Sequence, residues 1–325
     1  MNLFSLVITK PLGLLINLIY GLFDNYGIAI IIFTLIIKTV LIPLTFKSQK
    51  SIKKQQKLQP FIAELQKKYA NDSQKLQTEM MKLYRENDVS MMGGCLPMLI
   101  QMPILIGLYQ VIQKPLTYLI GVDFKTEEAL AKAGQIQQFM IENFPSKIDA
   151  AIQKYTPEQL VKISQISLSR WSELTFGKED PWVLNFNFFG MDLSNVPKSA
   201  FMQLFSGNFS DPGTLLLIII PVIAVLTTWF SMKLSQAQVK KKSETTENSE
   251  PNPADQMSKQ MSIMGPVMTG FFTVTLPSGL GLYWIISNIV QITQQYLINK
   301  YFDKKEDDIN VKVPESNRKN RKKHK

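Results

Sequence analysis

The chain has 325 residues, a hydrophobic share of 45% and a formal charge of +10. A single cysteine, Cys95, excludes an internal disulfide, and a single histidine, His324, leaves no basis for a four-ligand zinc site. Walker, GxGxxG and GxSxG motifs are absent, so neither a cofactor nor catalytic chemistry is expected.

The average composition hides a segregated pattern. Apolar residues gather in blocks of about 20, the length an α-helix needs to cross a hydrocarbon core. Lys, Glu, Gln and Asn fill the gaps. Within lipid the backbone must satisfy its own hydrogen bonds, so such blocks are read as helices. The expected fold is an all-α integral membrane protein with five transmembrane helices, a cytoplasmic helical hairpin and an N-terminal interfacial helix.

Residues 1–25 carry Leu3, Leu6, Val7, Leu14, Leu15, Leu18 and Leu22 at helical spacing, with Pro11 interrupting the run. A cleaved signal peptide is one reading. A basic start and a small-residue cleavage site are both lacking, so an uncleaved interfacial helix is expected. The first span is expected over 26–47 and a cytoplasmic hairpin over 48–93. Leu58, Phe61 or Ile62, Leu65 and Tyr69 form one stripe of the hairpin; Leu76, Met80, Leu83 and Tyr84 form the other. Asn71-Asp72-Ser73 is the turn. The pattern predicts arms of about 20 residues, roughly 30 Å each, with Pro60 kinking or breaking the first.

The second span is expected over 94–113. An outer segment follows over 114–213, with nine basic and eleven acidic residues. Residues 126–170 read as two or three short amphipathic helices with an apolar patch at Ile136, Phe139 and Met140. The aromatic stretch 182–189 reads as interfacial or packed at the membrane's outer edge. Span three is expected over 214–232, a cytoplasmic loop over 233–259, span four over 260–276, span five over 279–299, and a basic tail over 300–325. Composition predicts disorder over 240–258 and 303–325. Lys and Arg collect after spans one, three and five, which places those segments in the cytoplasm and the N-terminus outside.

Lys38 stands near the middle of the first span. A lysine there costs about 2.5–3.5 kcal/mol on insertion scales. It lies eight residues before Phe46, roughly 12 Å along a straight helix, about twice the reach of a snorkelling side chain. The other four spans contain no Asp or Glu, so the charge is expected to face water. Thr34 precedes it by one turn. Gln101 lies in the second span. Trp284, Asn288, Gln291 and Gln295 share one face of the fifth, widened by Ser287 and Gln294. These amides either line a wet cavity or join helices to one another. Met102, Pro103, Leu105 and Leu108 are candidates for an apolar wall or for ordinary packing. Such a cavity suits the passage of a polar, acidic segment beside a fixed positive charge. The alternative is a small polytopic transporter or channel using the intramembrane Lys, although inverted repeats are not visible.

Four stretches carry a resemblance: YGIAIIIFTLIIKTVLIPLTFKSQKS (26–51), KLQPFIAELQKKY (57–69), EMMKLYRENDVSMMGGCLPMLIQMPILIGLY (79–109) and LPSGLGLYWIISNIVQITQQYLI (276–298). They resemble the YidC/Oxa-type membrane protein insertases, in the shorter type without the large extracytoplasmic domain. The resemblance implies a five-helix core with a groove open to cytoplasm and lipid, acting without nucleotide hydrolysis on nascent membrane proteins, alone or beside the Sec translocon. The family usually carries Arg at the position of Lys38; Lys keeps the charge and loses the planar fork of donors. Thr34, Gln101, Tyr283 and Trp284 match positions associated with the groove and substrate contact. The hairpin matches one implicated in substrate delivery, and the basic tail resembles those that help contact the ribosome. Residues 122–181 stand out as an enlargement to which no function attaches.

Overall fold

The computed structural model describes residues 3–89, 96–144, 155–163, 165–207, 212–240 and 253–304. Cys95, the end of the expected hairpin at 90–93 and most of the basic tail lie outside the described residues. The chain divides into two compact units. One comprises Met1–Ile36, Gln101–Val225 and Thr269–Ser287; the other comprises Ile37–Ile100, Leu226–Met268 and Asn288–Lys325.

The first unit begins with a π-helical turn, Ser5–Thr9, that runs into α1, Lys10–Phe23. Pro11 does not interrupt this helix, contrary to the expectation. The Lys10 N–H bonds to Ser5 O, and this wider turn leads into Pro11 near the start of α1, where a missing N–H is tolerated. Ser5 and Thr9 donate to Gln110 Oε1 at 3.4 and 2.8 Å. Ile16 and Ile19 are buried, while Leu3, Leu6, Val7, Leu14, Leu18 and Leu22 are exposed. The leucine stripe is therefore not core. Ser5–Phe23 has 19 residues and a mean hydropathy of 1.8, enough to cross a bilayer by length and composition.

Helix α2, Tyr26–Val40, follows after Asp24, which adopts a left-handed conformation. Helix α5, Leu96–Gln113, continues through Pro115 into a second π-helical turn, Leu116–Ile120. The outer segment then folds on itself. Helix α6, Glu127–Asn143, is N-capped by Thr126, which accepts the Ala129 N–H. With α7, Pro157–Ile163, and α8, Gln165–Phe176, it encloses a core of Ala133, Ile136, Met140, Leu160, Leu168 and Trp182. Asp180 joins the parts: it accepts from Lys132, from the Ser172 hydroxyl at 2.6 Å and from the Trp182 N–H at 2.9 Å. Burial would raise its carboxyl, but these donors and the Lys132 charge outweigh that and hold it below the usual carboxylate range.

The stretch after Trp182 stitches the ends of several helices together. Asn185 O accepts from the Tyr26 N–H at 3.0 Å, and the Asn185 N–H donates to the Tyr20 hydroxyl at 2.8 Å. Tyr26 is fully buried edge-on against Phe186. A two-residue antiparallel ladder, Asn187–Phe188 with Met191–Asp192, turns through Phe189 and Gly190, both at positive φ. This is the one departure from an all-α fold among the described residues. Arg170 of α8 donates to Asp192, Ser194 and Asn195. Asn195 O in turn accepts from the N–H and hydroxyl of Ser278, and Leu193 O accepts from the Gly279 N–H. The first turn of α13, Ser278–Lys304, is therefore capped by this loop, which supplies carbonyl partners for otherwise orphaned donors. Gly279 lets α13 approach Ile30, Tyr26 and Ile112, where an added Cβ would lie 3.1–3.5 Å from their side chains.

Connecting this loop to the next long helix are α9, Lys198–Ser206, and the short α10, Pro212–Leu216. Helix α11, Ile219–Lys240, outruns its expected end at 232, and α12, Pro253–Thr275, begins seven residues before 260. Residues 253–258 are thus helical where disorder was expected, because Pro253 supplies a favoured helix start. Residues 241–252 and 305–325 lie outside the described residues.

The last turn of α2 opens the second unit. Helix α2 ends at Val40 and α3, Ile42–Lys68, begins after it as a separate helix. Pro43 in the first turn of α3 lacks an N–H and its ring crowds the preceding turn, so the continuous helix expected over 26–47 breaks at Leu41. Pro60, expected to disturb the arm, sits inside an unbroken α3. Helix α4, Ser73–Glu86, is capped by Asp72, which accepts the Lys75 N–H at 2.9 Å. Helix α3 takes in 42–47 of the expected first span, so the first arm from 48 has the expected length, whereas α4, at 14 residues, falls short of about 20. Leu58, Ile62, Leu83 and Val89 form their core, flanked by Phe61, Leu65, Met80 and Tyr84. The Lys54 ammonium donates to Asn87 O at 3.0 Å across the pair. Lys53 secures α3 to α13 by donating to Asn299 O at 3.1 Å and to Asp303 at 2.8 Å, while Phe46 packs on Phe302.

Candidate functional site

The polar residues singled out from the sequence fall in both units. In the first, Thr34 is fully buried and its hydroxyl donates to Ile30 O at 2.6 Å, so its proton is spent within α2. Gln101 of α5 donates its amide to the Tyr283 phenol of α13. Ser287, one turn further along α13, is buried, and Tyr283 is 1% exposed. A buried Gln–Tyr pair therefore joins two apolar helices, satisfying groups that would be costly to leave unbonded. Trp284 is half-buried and stacks on Phe272 of α12, with ring centroids 6.3 Å apart.

Along α5, Met102 is 48% exposed, and Pro103 and Leu105 are half-buried. Leu108, expected in the same wall, is fully buried and belongs to the core. The exposed stripe runs instead through Met102, Ile106 and Tyr109. Their i, i+4, i+7 spacing is a legible signal that the sequence reading passed over.

In the second unit Lys38 occupies the last turn of α2, because the helix ends two residues later. Because of the break at Leu41, Lys38 stands near the end of a helix rather than near the middle of a straight one. Lys38 is 9% exposed. A cation in the last turn lies on the favourable side of the helix dipole. Its own carbonyl, one of the terminal four of α2, accepts from the Gln294 amide of α13 at 3.1 Å.

Asn288 is buried and donates to the hydroxyls of Thr227 and Thr228 on α11 at 3.2 and 2.8 Å. It joins two helices, the alternative weighed for these amides, and its threonine partners were missed. Gln295 is buried at 4% exposure, whereas Gln291 is exposed. The four-residue face expected along α13 is thus divided: Asn288 and Gln295 turn inward, Trp284 lies at the margin and Gln291 is open. A shared angular position does not fix depth when neighbouring helices cover only part of a face.

The comparisons with known proteins place these features in a family context. The model of the family described as 60Kd inner membrane protein matches residues 18–306. Membrane protein insertase YidC 2 of Listeria innocua is 32% identical over 303 residues, covering 92% of this chain and 72% of the relative. Membrane protein insertase YidC of Pelobacter propionicus is 30% identical over 294 residues, covering 90% of this chain and 39% of the relative. Membrane protein insertase YidC of Rickettsia felis is 28% identical over 295 residues, and the chain spans 39% of its length. A family match that takes in α2 through α13, together with these relatives, establishes a membrane protein, and the chain belongs to the 60Kd inner membrane protein family, which its likeness to the YidC insertases represents.

Proposed function

We propose that this protein moves nascent membrane proteins into the bilayer, without enzymatic chemistry, through a hydrated and positively charged groove within its own spans. The observation that carries the reading is a lysine held in the last turn of an apolar membrane helix, in a chain related to insertases over most of its length. Lys38 attracts acidic residues of an entering polar segment, and the surrounding low dielectric strengthens that attraction. Thr34, Gln101, Tyr283 and Ser287 within the first unit, and Asn288, Gln291 and Gln295 within the second, are the polar groups that the reading assigns to substrate contact. The exposed apolar stripe of Met102, with Pro103 and Trp284, offers a surface along which the hydrophobic segment reaches lipid.

In this reading five spans cross the membrane, with the N-terminus outside and the C-terminus in the cytoplasm, and α1 lies in the interface. The Sec translocon is a partner, and the ribosome is met through the basic tail and the α3–α4 hairpin. The localisation is the bacterial cytoplasmic membrane.

The test is photocross-linking from a photoreactive residue at position 284 to a stalled, ribosome-bound membrane protein in reconstituted vesicles. A control probe sits at position 222, on the exposed face of α11. The expected result is an adduct at 284 that moves along the nascent chain as it lengthens, and none at 222. Absence of an adduct at 284 in folded, correctly oriented protein overturns the reading.

A further inference from the structure

Helix α9 presents an apolar face that none of the groove chemistry uses. Met202 is 63% exposed, Leu204 43% and Phe205 85%. With the half-buried Phe201 they span an arc of about 160° at 100° per residue. Ala200 is buried on the opposite side, and Ser199 lies outside the arc. Three bulky side chains so exposed on one short helix need an occupant.

What lies beside them identifies it. Helix α10 packs against both α9 and the second strand of the Asn187–Asp192 ladder. At the tip of that ladder Phe189 is 82% exposed and held at φ 51°, a conformation that bulky residues rarely adopt. The next residue, Gly190, approaches the Leu216 side chain, 3.8 Å from where a Cβ would stand. Leu216 opens an exposed apolar row that continues down α11 through Ile219, Val222 and Ile223. In a membrane protein that row faces acyl chains, so the exposed face of α9 and the Phe189 tip are continuous with a lipid surface. Aromatic residues at the end of a spanning helix suit the headgroup boundary. Lys198, one turn before Met202, sets a cation at the N-terminal end of the same face for lipid phosphate.

We propose that α9 is an interfacial anchor. It lies in the leaflet at that end of α11, the outer one under the orientation above, with Met202 and Phe205 sunk among acyl chains and Phe189 beside them. The partner is the bilayer itself. The anchor does not depend on the insertase reading, because it requires only that the chain resides in a membrane.

The experiment uses full-length protein in vesicles of mixed phosphatidylglycerol and phosphatidylethanolamine, with Cys95→Ser as background. Nitroxide labels are placed singly at Met202→Cys, Phe205→Cys and Ser199→Cys. Collision with oxygen, which concentrates in lipid, is compared with collision with a water-soluble nickel chelate. The label at 202 leaves Phe205 intact, so it reports even where loss of that ring loosens the helix. The expected result is an oxygen-to-nickel ratio several-fold higher at 202 and 205 than at 199. A nickel-dominated ratio at both 202 and 205 shows a water-facing helix and overturns the proposal. Labels at 202 and 205 reached by neither reagent show a protein covering and overturn it equally.

Discussion

Lys38 concentrates the chemistry at the scale of a residue. Its ammonium stands at the carboxyl end of α2, where helix carbonyls favour a cation and disfavour an anion. Lys38→Arg preserves the charge and is expected to retain insertion in a protease-protection assay with reconstituted vesicles. Lys38→Glu reverses the charge against both the dipole and an acidic passenger. It is expected to lower insertion about tenfold for substrates with acidic translocated segments, the effect of roughly 1–2 kcal/mol of lost attraction, and less for neutral ones. Equal activity of all three proteins on every substrate removes the electrostatic mechanism. The existence of this charge was legible because a lysine inside an apolar block is a compositional anomaly. Its place near a helix end was not, since Pro43, five residues on, falls in the first turn of a separate helix.

The helices α6 to α8 show, at the scale of elements, what local pattern carries and what it omits. Ile136 and Met140 were readable from spacing within α6, and both are core. The link that closes the unit, Lys132 to Asp180, joins residues 48 apart and has no local signature. Lys132 also lies 4.8 Å from the Trp182 ring centroid, so one cation serves two contacts. Asp180→Ala strips the partner from Lys132, Ser172 and the Trp182 N–H at once. It is expected to destabilise this unit by about 3 kcal/mol, read as a lower thermal midpoint of its near-ultraviolet circular dichroism. The sign with pH follows from the depressed carboxyl. The folded state prefers the ionised form, so the contribution is complete above about pH 4, the unfolded value, and is lost as pH falls through the depressed folded value. Acidification is therefore expected to erase the difference between wild type and Asp180→Ala. A difference that persists at low pH shows that the carboxylate charge is not what holds the unit.

At the scale of the whole molecule, orientation rests on the Lys and Arg clusters that follow spans one, three and five. Hydropathy alone does not settle the count, because α1 with its π-helical turn is as apolar as a spanning helix needs to be. Either placement of α1 leaves the rest unchanged. Asn185 bonds to Tyr20, Asp24 and Tyr26, so the α1–α2 junction lies on the same side as the loop that caps α13. Only the side of the extreme N-terminus differs. Two exposed positions, Lys67 on α3 and Gln135 on α6, report the common part. In a Cys95→Ser background a membrane-impermeant maleimide is expected to label Gln135→Cys in intact spheroplasts and Lys67→Cys only after lysis. The reverse pattern overturns the orientation. A protease site placed ahead of Met1 then separates the two placements of α1. Cleavage from outside is expected for an interfacial helix, whose exposed Leu14, Leu18 and Leu22 lie along the bilayer surface. Protection until lysis makes α1 a sixth span and moves the N-terminus to the cytoplasm.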